Sequence, residues 1–193
     1  MAGGESSRMG SPKALLSLPN GETLLDFHMR HAKRLNGPVM VADNGKRLCH
    51  DTTVKIIDDY LPNQQDGKGT GALSAMASAM NQVMSPYHYL LVISCDSLVH
   101  AHQAFDKLRY AVTDNEAVIY LKAEKDYPLL GLYRTDLLIK LNDYLDKGQR
   151  AVMKFLADKK IQAAALPNEW ITLANFNTKN EFDLALNSLN EIG

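Results

Sequence analysis

The chain of 193 residues balances 21 Lys and Arg against 22 Asp and Glu, a formal net charge of -1. That balance excludes the basic surplus expected of a nucleic-acid binder. Apolar residues make up 46% and charged residues 22%, the proportions of a globular chain with a buried core rather than of a disordered one. The length suits one domain over residues 1–193. Two cysteines, Cys49 and Cys95, make no disulfide framework. No apolar run reaches a membrane-spanning length. The N-terminus is glycine-rich and polar, unlike a signal peptide. A cytoplasmic protein is expected, with no nucleic-acid or membrane partner.

Taken in chain order, residues 1–13 form a glycine loop that ends at Lys13. Residues 23–35 read as a helix with Leu24, Phe27, Ala32 and Leu35 on one face. Short apolar runs at 39–42 and 54–57 read as buried strands, and a helix over 70–84 carries Leu73, Met76, Ala77 and Met80. Residues 89–94 are the clearest strand, followed by 117–121 and 129–133. A helix over 135–145, a strand over 162–166 and a last helix over 178–192 complete the order. Strands alternating with helices of this length predict an α/β fold, a Rossmann-like three-layer sandwich on a mainly parallel sheet. Such sheets bind ligands beyond the carboxyl ends of their strands, so motifs at strand ends carry the function.

The loop reads Ala2-Gly-Gly-Glu-Ser-Ser-Arg-Met-Gly-Ser-Pro-Lys13. Its glycines let backbone N–H groups approach a phosphate, and Arg8 and Lys13 add positive charge. It is not a Walker A loop, because Lys13 does not directly follow Gly10. The competing reading is a flexible end, but Arg8, Gly10 and Lys13 lead straight into the apolar Ala14–Leu15–Leu16. A strand feeding the loop needs more apolar residues than Met1 and Ala2 supply, so a stub is expected unless the chain starts late.

With that spacing the loop resembles the signature of the molybdenum cofactor nucleotidyltransferases, within the larger group of nucleotide-sugar pyrophosphorylase-like enzymes. The resemblance implies that the loop wraps a nucleoside triphosphate. Its carry-over falls on Met1, Ala2, Gly3, Gly4, Arg8, Gly10 and Lys13.

Asp96 ends the strand at 89–94. A carboxylate there can hold Mg²⁺ against phosphate oxygens, or simply start a turn. The family resemblance favours the metal, although this chain has Ser97–Leu98 where the family usually has proline. Asp58 reads as a solvated strand end. Asp59 matches a nucleotide-contacting aspartate of the similar enzymes, and a carboxylate can accept from the N1–H and amino group of guanine. The family's asparagine after the second strand is replaced by Ala42, with Asn44 two residues on. The run from Asp66 to Gly71 reads as a second backbone cradle or as a turn capped by Thr70 or Gly71.

In the second half, residues 127–134 resemble the family's acceptor-side strand. Arg150 suits an acceptor phosphate, or a solvated helix start. Asn175 and Asn177 match an Asn-x-Asn-Thr pattern placed near metal and acceptor in the similar enzymes. Thr178 with Glu181 is explained by a capping box alone. The six histidines form no zinc set by spacing, and surface or structural roles are expected.

The resemblance implies transfer of GMP from GTP to the phosphate of molybdopterin cofactor, releasing pyrophosphate, with Mg²⁺ as cofactor. It also implies contact with molybdoenzyme-maturation proteins. The runner-up activities are the related cytidylyltransferase and a sugar-phosphate nucleotidyltransferase. The contrasting class is a non-catalytic nucleotide or cofactor binder. The expected nucleotide contacts are Met1, Ala2, Gly3, Gly4, Gly10, Lys13, Asn44, Asp59 and Asp96. The catalytic set is Arg8, Lys13 and Asp96, with Asp96 on the metal. The acceptor set is Arg150, Asn175 and Asn177.

Overall fold

The computed structural model describes residues 1–2, 11–61, 70–83, 88–113 and 115–192. Gly3, Gly4, Arg8 and Gly10, and the run from Asp66 to Gly69, lie outside the described residues.

Among the described residues, six strands form two hydrogen-bonded groups. β1 (Met40–Ala42) and β2 (Lys55–Ile57) pair in parallel. β3 (Tyr89–Ile93), β4 (Val118–Lys122), β5 (Asp126–Arg134) and β6 (Ile161–Ala165) form a sheet in the order β3-β5-β4-β6. Within that sheet β4 and β6 are parallel, while β5 runs against both its neighbours. Met1 and Ala2 join the two groups. The Met1 ammonium donates to Ile93 O at 2.7 Å. Cys95 N donates to Met1 O at 3.0 Å, and Ala2 N donates to Ala42 O at 2.7 Å. Donation to and acceptance from residues two apart on β3 is the parallel pattern. Met1 and Ala2 thus form a two-residue parallel bridge between β1 and β3.

Side chains alternate across the sheet, as the period of two requires. On one face Ile119, Leu121, Leu130 and Leu132 pack in a core with three helices. These are α1 (Leu24–Ala32), α3 (Ala101–Arg109) and α6 (Lys179–Ile192). On the other face Val92, Val118, Tyr120 and Tyr133 share a core with α2 (Ala72–Gln82), α4 (Leu138–Asp146) and α5 (Val152–Leu156). The result is the expected three-layer sandwich.

The predicted helix over 23–35 opens on a capping box, with Thr23 and Asp26 each bonding the other's backbone N–H. It stops at Ala32, where Lys33 N closes the last turn on Met29 O, and Gly37–Pro38 bars any helix from resuming before β1. The predicted helix over 135–145 begins as a 3₁₀ turn, Thr135–Leu137, before α4. β5 starts three residues earlier than expected. Pro128 sits beside a register shift between Tyr120 and Leu121, where a missing N–H is tolerated.

Candidate active site

The chain ends of β1 and β3 lie side by side, tied by Ala2 and Met1. Ala2, 4% exposed, is the last described residue before the glycine loop. On the far side of the loop, Pro12 leads into a 3₁₀ turn, Lys13–Leu15, anchored by the fully buried Ala14. That anchor points Lys13 across the end of β3. Lys13 Nζ donates to Phe176 O at 2.6 Å and to Asn177 Oδ1 at 3.1 Å. It lies 3.9 Å from the Asp96 carboxylate. Asn177 Nδ2 donates to Asn175 Oδ1 at 2.9 Å, and Phe176 N donates to Asp96 O at 2.8 Å. Residues more than 160 apart in sequence thus meet at one point.

Local sequence explains each position. Asp96 leaves the sheet on a turn that Ser97 builds in place of proline. The fully buried Ser97 Oγ accepts from Val99 N at 3.0 Å, the motif by which serine stabilises turns. Leu98 N then donates to Leu173 O at 2.8 Å, fixing this turn against the segment that leads to Asn175. Downstream, Glu181 Oε2 accepts from Asn177 N and Thr178 N, and Thr178 Oγ1 accepts from Glu181 N. The capping box read from the sequence is present, and it also holds the backbone of Asn177. These bonds keep the Glu181 carboxyl below its usual range.

Asp59 stands at the approach to α2. Its Oδ2 accepts from both Thr70 N and Thr70 Oγ1 at 3.2 Å. Burial, with a smaller push from Asp58, raises its pKa against the lowering effect of those bonds. Thr70 is thereby committed to Asp59, and the α2 cap is Gly71 at φ 90°, a conformation that favours glycine.

Two of the expected contacts have local structural partners. Asn44 occupies a left-handed turn position at φ 59°. That turn is held by the buried Asp43, whose carboxylate accepts from Gly45 N and Leu48 N. Arg150 Nη1 donates to Leu145 O and Gln149 O, both at 2.7 Å, and so closes the end of α4. This favours the structural alternative for Arg150 in this conformation.

A groove of about 180 Å³ opens beside Asp96, lined also by Lys125, Asp126, Tyr127, Ala174 and Asn175. Lys125 and Asp126 were not singled out from sequence, because charged residues at a strand start resemble a solvated turn. Asp126 Oδ1 accepts from Tyr120 OH at 3.0 Å and pairs with Lys122 at 3.2 Å. A larger cavity of about 520 Å³ lies between β1 and β3, walled by apolar groups such as Val41, Ala79, Leu91 and Phe105. It lacks convergent charge, so the smaller groove is the candidate site. No helix among the described residues is long and apolar enough to cross a membrane.

Residues 1–162 match the family of the MobA-like NTP transferase domain. The chain belongs to that family. It is 30% identical over 182 residues to the probable molybdenum cofactor guanylyltransferase of Mycolicibacterium paratuberculosis, covering 93% of this chain and 89% of the relative. Its fold is similar to that of the molybdopterin-guanine dinucleotide biosynthesis protein A of Archaeoglobus fulgidus, with a TM-score of 0.78. That match covers 98% of this chain and 96% of the other, at 15% identity. It is also similar, with a TM-score of 0.60 and 12% identity over 93% and 94% of the two chains, to a Mycobacterium tuberculosis protein solved in complex with manganese. The chain is thus a nucleotidyltransferase with a Rossmann-like fold.

Proposed function

We propose that this nucleotidyltransferase moves GMP from GTP onto the terminal phosphate of molybdopterin cofactor, releasing pyrophosphate. The observation that carries the reading is the convergence of Lys13, Asp96, Asn175 and Asn177 at the ends of the central strands. The name of the 30%-identical relative supports the choice of nucleotide and acceptor.

The nucleophile is a phosphate oxygen, already ionised at neutral pH, so no general base is required. The difficulty is bringing one anion against another. Lys13, together with Arg8, offsets charge on the triphosphate and on the departing pyrophosphate. Asp96 and the amide oxygens of Asn175 and Asn177 are hard oxygen donors, the set that suits a cation such as Mg²⁺. When bound, that cation supplies charge neutralisation at the phosphates. Met1 and Ala2, at the ends of β1 and β3, are assigned to the nucleotide. Asp59, held by Thr70, accepts from the guanine edge, and Asn44, on the turn after β1, is a further nucleotide contact in this reading. Arg150 reaches an acceptor phosphate only by releasing the end of α4.

Calorimetric titration with GTP and with CTP, each with Mg²⁺, tests the base assignment. GTP-selective binding that weakens in Asp59→Asn supports it. CTP selectivity moves the activity to a cytidylyltransferase. Nucleotide binding without pyrophosphate release on adding molybdopterin makes the protein a binder rather than an enzyme.

A further inference from the structure

Three histidines that look unrelated in sequence meet where α1 packs on α3. His31 lies in the last turn of α1, His100 caps the start of α3, and His102 is in its first turn. His31 Nδ1 and His102 Nδ1 are 3.3 Å apart. One ligand nitrogen from each of the three rings falls within 4.8 Å of the others. The rings lie within 11° of parallel, with the His31 and His100 centroids 3.9 Å apart. Phe27 closes the inner side, 4.6 Å from His31 and 5.3 Å from His100. His31 is 3% exposed, while His100 and His102 are half-buried.

We propose that His31, His100 and His102 form a binding site for a transition-metal dication of the Zn²⁺ type, separate from the Asp96 site and joining α1 to α3. The 3.3 Å separation of the two Nδ1 atoms matches one edge of a tetrahedron with bonds of about 2.0–2.1 Å. Because the ring lone pairs lie in the stacked planes, binding requires side-chain rotations that fan the rings apart and bring His100 onto the same centre. Imidazole nitrogens select Zn²⁺, Ni²⁺ or Cu²⁺ over Mg²⁺, which prefers oxygen. Three histidines leave a fourth position for water.

The surroundings favour the neutral ligand form. Burial lowers all three pKa values, His31 to about 3, so at pH 7 no ring proton has to be expelled from an imidazolium. Two arginines face the cluster. Arg30 is neutralised by Glu22, with Arg30 Nη2 2.6 Å from its carboxylate. Arg34 Nη1 sits 3.4 Å from His102 Nε2. Arg34 is exposed and swings into solvent when His102 turns to a metal. Asp106, one turn beyond His102 on α3, adds a compensating negative charge.

The test is Zn²⁺ titration of the chelator-treated full chain in excess Mg²⁺, read by calorimetry, with Co²⁺ absorption reporting tetrahedral nitrogen ligation. The expected result is one Zn²⁺ per chain, retained in Asp96→Asn. His102→Ala removes a half-buried ring and leaves the fold intact, and it should weaken binding by at least the roughly 10–100-fold that loss of a supporting residue costs a metal site. His100→Ala should do the same, and Zn²⁺ should raise the melting temperature of the parent but of neither variant. Saturation absent at millimolar Zn²⁺, or affinity unchanged in His102→Ala, overturns the proposal.

Discussion

Replacing Lys13 with Met keeps most of the side chain's bulk and removes its charge. Nζ lies 2.6 Å from Phe176 O, 3.1 Å from Asn177 Oδ1 and 3.9 Å from the Asp96 carboxylate. A charge-assisted hydrogen bond contributes about 1.5–3 kcal/mol. A partly exposed ion pair adds at most about 1 kcal/mol, and the Lys13 side chain is only 17% exposed. The variant should therefore lose about 2 kcal/mol, or about 4–8 °C in melting temperature for a chain of this size. The catalytic effect should be larger. Losing one preorganised positive group costs about 10²–10³ in turnover, about 2.7–4 kcal/mol. Pyrophosphate release at 25 °C, measured with both proteins shown to be folded by circular dichroism, separates the two effects. Asn177→Ala is the control, because it removes one partner of Lys13 without its charge and should cost about 1 kcal/mol of stability. A folded Lys13→Met with turnover within about threefold of the parent refutes the reasoning.

Further outcomes follow from other parts of the fold. The buried His28 imidazole is held down to about 3, first by burial and then by the nearby N-terminal ammonium, against a smaller raising effect of Ser97 O. The unfolded chain therefore binds more protons below pH 6.5, so stability is full above that value and lost as pH falls towards 3. The slope should reach about 1.4 kcal/mol per pH unit, read from urea midpoints at pH 7 and 5. An identical acid loss in His28→Asn would contradict this. Gly131→Ala places a Cβ 2.8 Å from Ile119 O and 3.2 Å from Pro128 O, both backbone atoms of the sheet centre. It should cost about 1–3 kcal/mol, and a neutral denaturation curve would refute it. Adding a few β-branched residues before Met1 should place a strand in the cavity between β1 and β3 and raise the melting temperature. An unchanged melting temperature would show that the added residues stay in solvent.

The sheet was legible because most of its strands are short apolar runs, and even β6, of which only Ala164 is buried, is bounded by such residues. Only the start of α3, at His100 and His102, was legible and not its extent, since only Ala101, Ala104 and Leu108 of it are buried and two of those are alanines with little hydrophobic signal. The Lys13 and Asp96 positions were legible from spacing against a known family, and Asn175 and Asn177 likewise. Nothing in the sequence says that Ser97 builds the Asp96 turn, because its Oγ bond to Val99 N depends on burial. The histidine cluster was illegible for a different reason. His31 and His102 are 71 residues apart and meet only through the packing of α1 on α3. Arg150 shows the converse, where a residue type suited to phosphate is engaged locally by two carbonyls.

The most direct measurement is the fate of the α-phosphate. The protein is incubated with Mg²⁺, molybdopterin cofactor and GTP labelled at that phosphate, in parallel with labelled CTP. Label is expected in a molybdopterin guanine dinucleotide, with one pyrophosphate released per product, and both are expected to be lost in Asp96→Asn. Label remaining in GTP, or transfer from CTP in preference, would contradict it.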